Sequence, residues 1–398
     1  MAATPLSASG IVGTAGRVLS PSEPPEVRTA ELRLAGERLA VVSPVRVYVC
    51  GITPYDVTHL GHAATFVWAD VVGSVLRMTG AEVVTSRNVT DVDDVLTRAA
   101  DTRGRHYDEF ALSQEYAFDQ DMRALGVRRP THEPRARQHI GQVQPLAAAL
   151  LAAGHAYERE GHVFFRGRAV PRAVGLDRSR ALQLAAEHGD EPADPRREDP
   201  FDVGVWRPSG EDDPAWPSPW GWGRPGWHAE CAAMAWSTLG QGIDLLVGGA
   251  DLAFPHHAYQ AAMAEAASSV SPFARRQFHV GAVHRGGAKM AKSTGNLVLV
   301  AELLQEYPAA AVRLLLLDRR WAEPWDYDAG LLDAALARLE ALYSAAGRPV
   351  TAPSAVRAVS DRLVDDLDVP AALDIAIEAG GEAARLLTSV LTLDENSR

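Results

Sequence analysis

The chain has 398 residues, 47% hydrophobic and 23% charged, enough for a sizeable core and for two or three domains. Lys and Arg number 39 against 51 Asp and Glu, a net charge of −12, so no overall basic field marks a nucleic-acid binder. The two cysteines exclude a disulfide framework, no apolar run reaches the ~18–20 residues of a membrane span, and the N-terminus is a poor signal peptide, so a cytoplasmic globular protein is expected.

Residues 1–43, rich in Ala, Ser, Pro and Gly, read as a loosely packed N-terminal lead-in. Alternating β-branched and aromatic residues over Val45–Cys50 predict a strand. The turn-rich Gly51–Asp56 follows, and apolar periodicity then predicts a helix over about 60–79. A second strand over Glu82–Ser86 completes a β-α-β unit and runs into Asn88–Asp94. Residues 104–155 carry helical patterning, and 162–166 suit a short strand. The segment 167–226, dense in Arg, Asp, Pro and Trp, reads as an insertion with little regular structure. Strands are expected again at Ile243–Val247, before Gly248–Asp251, and at Gln277–Val280. Helices dominate from about 299. Leu332, Ala335, Leu336, Leu339, Leu342 and Tyr343 form one apolar stripe there. The predicted layout is a lead-in over 1–43, an α/β nucleotide-type domain over 44–300 with an insertion at about 100–226, and a small helical domain over 301–398.

Three constellations carry chemistry. His59-Leu60-Gly61-His62 opens a helix directly after a strand, where unpaired N–H groups and the helix dipole favour an anion. Alone this motif is weak, since two core or solvated histidines explain it as well. Lys289-Met290-Ala291-Lys292-Ser293 places two lysines three apart in a Gly- and Ser-rich loop, by itself explained as well by a solvated basic loop as by a mobile cationic clamp suited to charge on a triphosphate. HxGH after an early strand, with KMxKS about 230 residues later, is the signature order of class I aminoacyl-tRNA synthetases. The third set is Cys50, Cys231 and His256, two thiols and an imidazole of the kind that suits Zn²⁺ with an open fourth position, set against the alternative of two simply buried cysteines. Apolar packing separates cysteine from serine by only about 10², whereas a soft metal discriminates by ligand chemistry.

The segments YVCGITPYDVTHLGHAAT (48–65), NVTDVDD (88–94), WPSPWGWGRPGWHAECAAMA (216–235), GGADLAFPHH (248–257) and KMAKSTGNLV (289–298) resemble the cysteinyl-tRNA synthetase superfamily, with DDLDVPAAL (365–373) extending the likeness weakly. Within it the chain looks most like the mycothiol cysteine ligases. The tRNA enzyme typically reads HIGNART where this chain continues from His62 as Ala63-Ala64-Thr65. It usually has a glutamate ligand where Gln260 stands, and it carries a longer tail. The resemblance implies a class I synthetase-type Rossmann-like parallel sheet with an insertion, followed by a small helical C-terminal domain. It implies ATP-dependent, AMP-forming ligation of L-cysteine to the amine of glucosaminyl-inositol, in mycothiol biosynthesis, through cysteinyl-adenylate. ATP with Mg²⁺ would be substrate and Zn²⁺ the cofactor, on a monomer with an aminosugar-type acceptor and no tRNA or membrane partner.

Position by position, the resemblance implies zinc on Cys50, Cys231 and His256, and catalysis by His59, His62, Lys289, Lys292 and Ser293. It implies adenylate contacts from Cys50, Gly51, Ile52, Thr53, Thr65, Asn88, Val89, Thr90, Trp227, Gly249, Ala250, Asp251 and Val283. Asp251 would accept from ribose hydroxyls and Trp227 would wall the zinc pocket. The family's KMSKSRGN reads Ala291 and Thr294 here, its FPHHE glutamate is Ala258, GGSD has become GGAD, and ERGGDP is only echoed by Glu187–Pro192. Both lysines, both HxGH histidines and all three zinc ligands are retained, so cysteine adenylation is expected, while acceptor recognition is left more open. The departures keep open a paralogue joining cysteine to another amine, with a cysteinyl-tRNA synthetase or a non-catalytic regulator as rivals.

Overall fold

The structure, a computed structural model, describes residues 29–55, 57–211, 213–290, 294–350 and 352–394. Strands β1 (Thr29–Leu34) and β2 (Glu37–Val42) form an antiparallel hairpin turning through Ala35 and Gly36. Leu32, Leu34 and Leu39 are buried in the main core. The described part of the expected lead-in is therefore packed structure. Its alternating Leu and charged residues are a strand signal that the Ser- and Pro-rich composition of the stretch as a whole obscured. Residues 1–28 lie outside the described residues.

Strand β3 (Val45–Ile52), helix α1 (Leu60–Met78) and strand β4 (Val83–Val89) form the expected β-α-β unit. Helix α1 is buried along most of its length, because it lies between the sheet and the C-terminal helices. Helices α2 (Asp94–Asp101), α3 (Tyr107–Ala124) and α4 (Ile140–Ala152) follow.

The insertion is more regular than its composition suggests. Strands β5 (Ala156–Arg159) and β6 (His162–Phe165), helices α5 (Val170–Ala173) and α6 (Arg178–Glu187), and strands β7 (Val203–Pro208) and β8 (Gly223–Pro225) build an antiparallel sheet in the order β5-β6-β7-β8 with two helices. Its own core includes Val163, Phe165, Val205 and Trp206. The strands are short and about 40 residues separate β6 from its partner β7, so local periodicity did not reveal their pairing.

Helix α7 (Trp227–Leu239), strand β9 (Ile243–Gly249), helix α8 (Ala258–Ser268) and strand β10 (Ala274–Val280) complete the central sheet, whose order is β10-β9-β3-β4 with every pair parallel. The chain builds outward from β3 to β4, then returns to the other side of β3 for β9. Between β3 and β9 the winding reverses, and the crevice beyond their carboxyl ends is where such sheets bind ligands.

Strands β11 (Val283–Arg285) and β12 (Ala288–Lys289) make a hairpin. Helices α9 (Val300–Glu306) and α10 (Ala309–Leu317) follow, then β13 (Trp325–Asp326), parallel to β11. Helices α11 (Ala329–Ala346), α12 (Pro353–Val364), α13 (Val369–Ala379) and α14 (Gly381–Val390) close the chain. The expected stripe on α11 is buried at Leu332, Ala335, Leu339 and Leu342.

One hydrophobic core runs across residue 300 from the sheet into these helices. Trp68 on α1 donates from Nε1 to the Leu316 carbonyl at 3.1 Å. The fully buried Arg313 on α10 donates to the carbonyls of Leu125 at 2.9 Å and Leu391 at 2.5 Å and pairs with Asp70. Among the described residues no helix is long and apolar enough to cross a membrane.

Candidate active site at the carboxyl end of the sheet

Three chain segments bring Cys50, Cys231 and His256 together. Cys50 lies near the end of β3, Cys231 in the second turn of α7, and His256 in the bend between β9 and α8. Their ligand atoms all lie within 4.8 Å of one another, and each residue is at most 4% exposed. That span is close to the roughly 3.5 Å separations of a tetrahedral zinc site with bonds of about 2.0–2.3 Å. Burial pushes the Cys50 thiol up, with Cys231 beside it adding to the shift. Burial likewise drives His256 well below its ordinary value, helped by His228 and His257. Two soft sulfurs and an imidazole nitrogen are the donors Zn²⁺ prefers.

Gln260, where the tRNA enzyme usually has a glutamate, braces this cluster through its side-chain amide. It is fully buried, its Oε1 lies 3.6 Å from Cys50 Sγ, and its Nε2 donates to the Cys231 carbonyl at 3.3 Å. Trp227 stacks on His256 with ring centroids 4.1 Å apart, and His228 Nδ1 meets His256 Nδ1 at 3.0 Å. Burial, reinforced by His188 and Arg197, pushes His228 down to about 3. His228 was not singled out from sequence, although it sits inside the WHAEC segment that was. The buried His257 meets His279 of β10 at 2.8 Å, another pair that sequence reading missed.

The HxGH turn sits at the mouth of the same crevice. His59 caps α1, its Nδ1 accepting from Gly61 N at 3.1 Å, and its ring stacks on His62 at 4.0 Å. The distant lysine hairpin returns to this turn: Leu60 N donates to the Val298 carbonyl at 3.0 Å, and Val300 N to the Thr58 carbonyl at 3.1 Å. Gly286 and Gly287, at φ 66° and 77°, form the hairpin turn, a conformation that costs glycine little. Asp326 fastens that turn, accepting from Gly286 N at 2.8 Å and from Gly287 N. Lys289 Nζ donates to Asp251 Oδ2 at 2.7 Å. Burial disfavours the Asp251 charge, but the Lys289 ammonium outweighs it and holds the carboxyl below its usual range. Lys292 and Ser293, together with Ala291, lie outside the described residues.

The other expected contact residues surround the crevice. Gly51, Ile52 and Thr53 are at the end of β3, and Asn88, Val89 and Thr90 at the end of β4. Asn88 links the two, accepting from Gly51 N at 2.9 Å through Oδ1 and donating to Thr90 Oγ1 at 2.9 Å. A Cβ on Gly51 would lie 1.7 Å from the Asn88 carbonyl oxygen, so this close approach demands glycine. Gly249, Ala250 and Asp251 follow β9; Thr65 lies in the second turn of α1, near Gly249; Val283 begins β11. A cleft of about 710 Å³ opens beside Thr53, Trp227 and His228 and extends between α2 and the insertion.

The catalytic-domain family described as tRNA synthetases class I (C) matches residues 39–337. An L-cysteine:1D-myo-inositol 2-amino-2-deoxy-alpha-D-glucopyranoside ligase from Parafrankia sp. (strain EAN1pec) is 41% identical over 376 residues, covering 92% of this chain and 83% of its own. The ligase of that name from Mycobacterium tuberculosis (strain ATCC 25177 / H37Ra) is 41% identical over 388 residues, covering 90% of this chain and 92% of its own. Among solved structures, the Mycobacterium tuberculosis methionyl-tRNA synthetase in complex with methionyl-adenylate superposes with a TM-score of 0.61 at 17% identity, over 88% of this chain and 82% of that one, a likeness of fold. The parallel sheet, the crevice at its switch point and these sequence matches agree: the chain belongs to the class I cysteine-type synthetase family, in the branch of the L-cysteine:1D-myo-inositol 2-amino-2-deoxy-alpha-D-glucopyranoside ligases.

Proposed function

We propose that this protein uses ATP to activate L-cysteine as cysteinyl-adenylate and transfers it to the amine of glucosaminyl-inositol, giving an amide, AMP and pyrophosphate. The acceptor is the one in the names of its relatives. The observation that carries the reading is the convergence of Cys50, Cys231 and His256 at the switch point, beside the HxGH turn and Lys289.

Zn²⁺ held by Cys50, Cys231 and His256 supplies a soft centre that favours a thiol over a hydroxyl. The chain's own groups do the rest. Trp227 walls the pocket, while Thr53, Asn88 and Thr90 order the β3 and β4 ends against the substrate. Asp251 receives the ribose, and Thr65, Gly249, Ala250 and Val283 line the nucleotide. The motif residues His59, His62, Lys289, Lys292 and Ser293 would act on the ATP·Mg²⁺ phosphates, where donors stabilise the charge of α-phosphoryl transfer. Holding adenylate and amine side by side converts the second step into a near-unimolecular reaction.

Zinc-replete protein incubated with ATP, Mg²⁺, cysteine and glucosaminyl-inositol should yield the cysteinyl amide by mass spectrometry, with one AMP per amide. AMP release on cysteine addition without this amide would keep the activation step and overturn the acceptor. Neither product would overturn the whole reading.

A further inference from the structure

The cleft that leaves the cysteine cluster past Thr53 and Trp227 is lined by both signs of charge, and much of that charge is paired within the protein. Asp94 is clasped by Arg207 and Arg224 at 3.1 and 3.0 Å, Asp190 pairs with Arg197 at 2.6 Å, and Asp194 with Arg196 at 2.8 Å. Glu187 and Glu191 are exposed to solvent. Asp93 differs from all of these. It lines the cleft, is partly shielded from water, and takes no ion pair among the described residues. Its Oδ1 accepts from Val95 N at 2.7 Å, capping α2. Thr90 N donates to the Ile52 carbonyl at 2.8 Å, so the turn carrying Asp93 leaves β4 against the Gly51–Thr53 end of β3. Arg207 and Arg98 favour its charge without an ion-pair contact among the described residues, so Asp93 presents a shielded carboxylate, not taken up by a cation, in the cleft that Thr53 and Trp227 also line.

Resting on the function proposed above, we propose that Asp93 is the acceptor-amine subsite: it binds the ammonium form of the aminosugar and takes its proton, so that a neutral amine attacks the cysteinyl carbonyl. An ammonium is cationic at neutral pH and has no lone pair, so the site must both attract it and deprotonate it. In the step, one N–H proton passes to an Asp93 carboxylate oxygen. The freed lone pair forms the C–N bond. The carbonyl carbon's bond to the phosphate oxygen breaks, and AMP leaves with that electron pair. The second proton leaves the nitrogen to water, giving the neutral amide, and Asp93 returns its own proton to solvent. Burial, with Asp94 adding to it, holds the Asp93 carboxyl above its ordinary range against the opposing Val95 N–H bond and the Arg207 and Arg98 charges, which makes it a better base than a free carboxylate. The paired Asp94, Asp190 and Asp194 leave much of the remaining lining as neutralised polar groups, which suits the hydroxyls of a neutral polyol.

Asp93→Asn tests this cleanly, because Asn is as good a helix cap as Asp and keeps the bond to Val95 N. Two nucleophiles are compared at pH 7.5: glucosaminyl-inositol, which must lose a proton, and hydroxylamine, which is already uncharged. D93N should retain cysteine-dependent ATP–pyrophosphate exchange and cysteinyl hydroxamate formation within about twofold. It should lose on the order of 100-fold in amide formation, the lower end of what a general base contributes. Equal losses with both nucleophiles, or a parallel loss of exchange, would overturn the proposal in favour of a structural or cysteine-activating role; unchanged amide formation would overturn it outright. If the wild type exchanges pyrophosphate but makes no amide with glucosaminyl-inositol, the acceptor reading above fails. The D93N comparison, repeated with ethylamine against hydroxylamine, then still decides the role of Asp93.

Discussion

Lys289→Ala should separate what this residue does for the fold from what it does for the reaction. Its ammonium lies 2.7 Å from Asp251 Oδ2, but the two side chains are 55% and 43% exposed. At that distance in water the Coulomb energy is about 1.5 kcal/mol, and side-chain entropy and salt reduce exposed pairs to roughly 0.2–1 kcal/mol. The stability of the variant in guanidinium should therefore stay within ~1 kcal/mol of wild type. The sign with pH also follows. Asp251 is held below its ordinary pKa, so the contribution is present above the unfolded value and disappears as pH falls through the folded one. The two proteins should converge in acid. Catalysis should respond on a different scale: removing a preorganised donor aimed at developing charge costs about 2.7–4 kcal/mol, or 10²–10³ in rate. Cysteine-dependent ATP–pyrophosphate exchange is the assay. Exchange within threefold of wild type, or a stability loss well beyond 1 kcal/mol, would refute the assignment of Lys289 to the phosphates.

Three further outcomes follow from the same geometry. Cys231→Ser should abolish stoichiometric zinc by elemental analysis and let cysteine-over-serine selectivity in the exchange assay fall toward the ~10² of a packing pocket. Arg313→Leu, which strands the buried Asp70 and the carbonyls of Leu125 and Leu391, should cost about 3–5 kcal/mol in chemical denaturation, and adding Asp70→Leu should recover much of the loss. Burial opposes the Asp94 charge, but Arg207 and Arg224 overcome it and hold the carboxyl below its usual range. Asp94→Asn should therefore weaken the attachment of the insertion by about 1 kcal/mol or less above pH ~4, read by limited proteolysis, and converge with wild type as pH falls through the folded value.

Local patterning was enough for the elements that build the sheet. Alternation marked β3, apolar periodicity marked α1 and the α11 stripe, and the Gly-rich ends of β9 and of the lysine hairpin marked where the chain turns. Motif order alone pointed to the family, because HxGH and KMxKS each keep their chemistry within a few consecutive residues. Sequence was less informative where structure depends on partners far along the chain. The β1–β2 hairpin, with its leucines in the main core, and the β7 and β8 strands of the insertion looked like irregular segments, although β6 was anticipated, since short strands are stabilised mainly by pairing and burial rather than by propensity. The site itself divides in the same way. Residue types nominated Cys50, Cys231 and His256, but their meeting within 4.8 Å depends on parallel crossovers that bring β3, α7 and the β9–α8 bend to one end of the sheet. The brace from Gln260, the contact of His228 with His256 and the shielding of Asp93 in a cleft shared with ion pairs are likewise set by packing: they depend on which groups lie alongside in three dimensions, and a one-dimensional pattern carries no record of that.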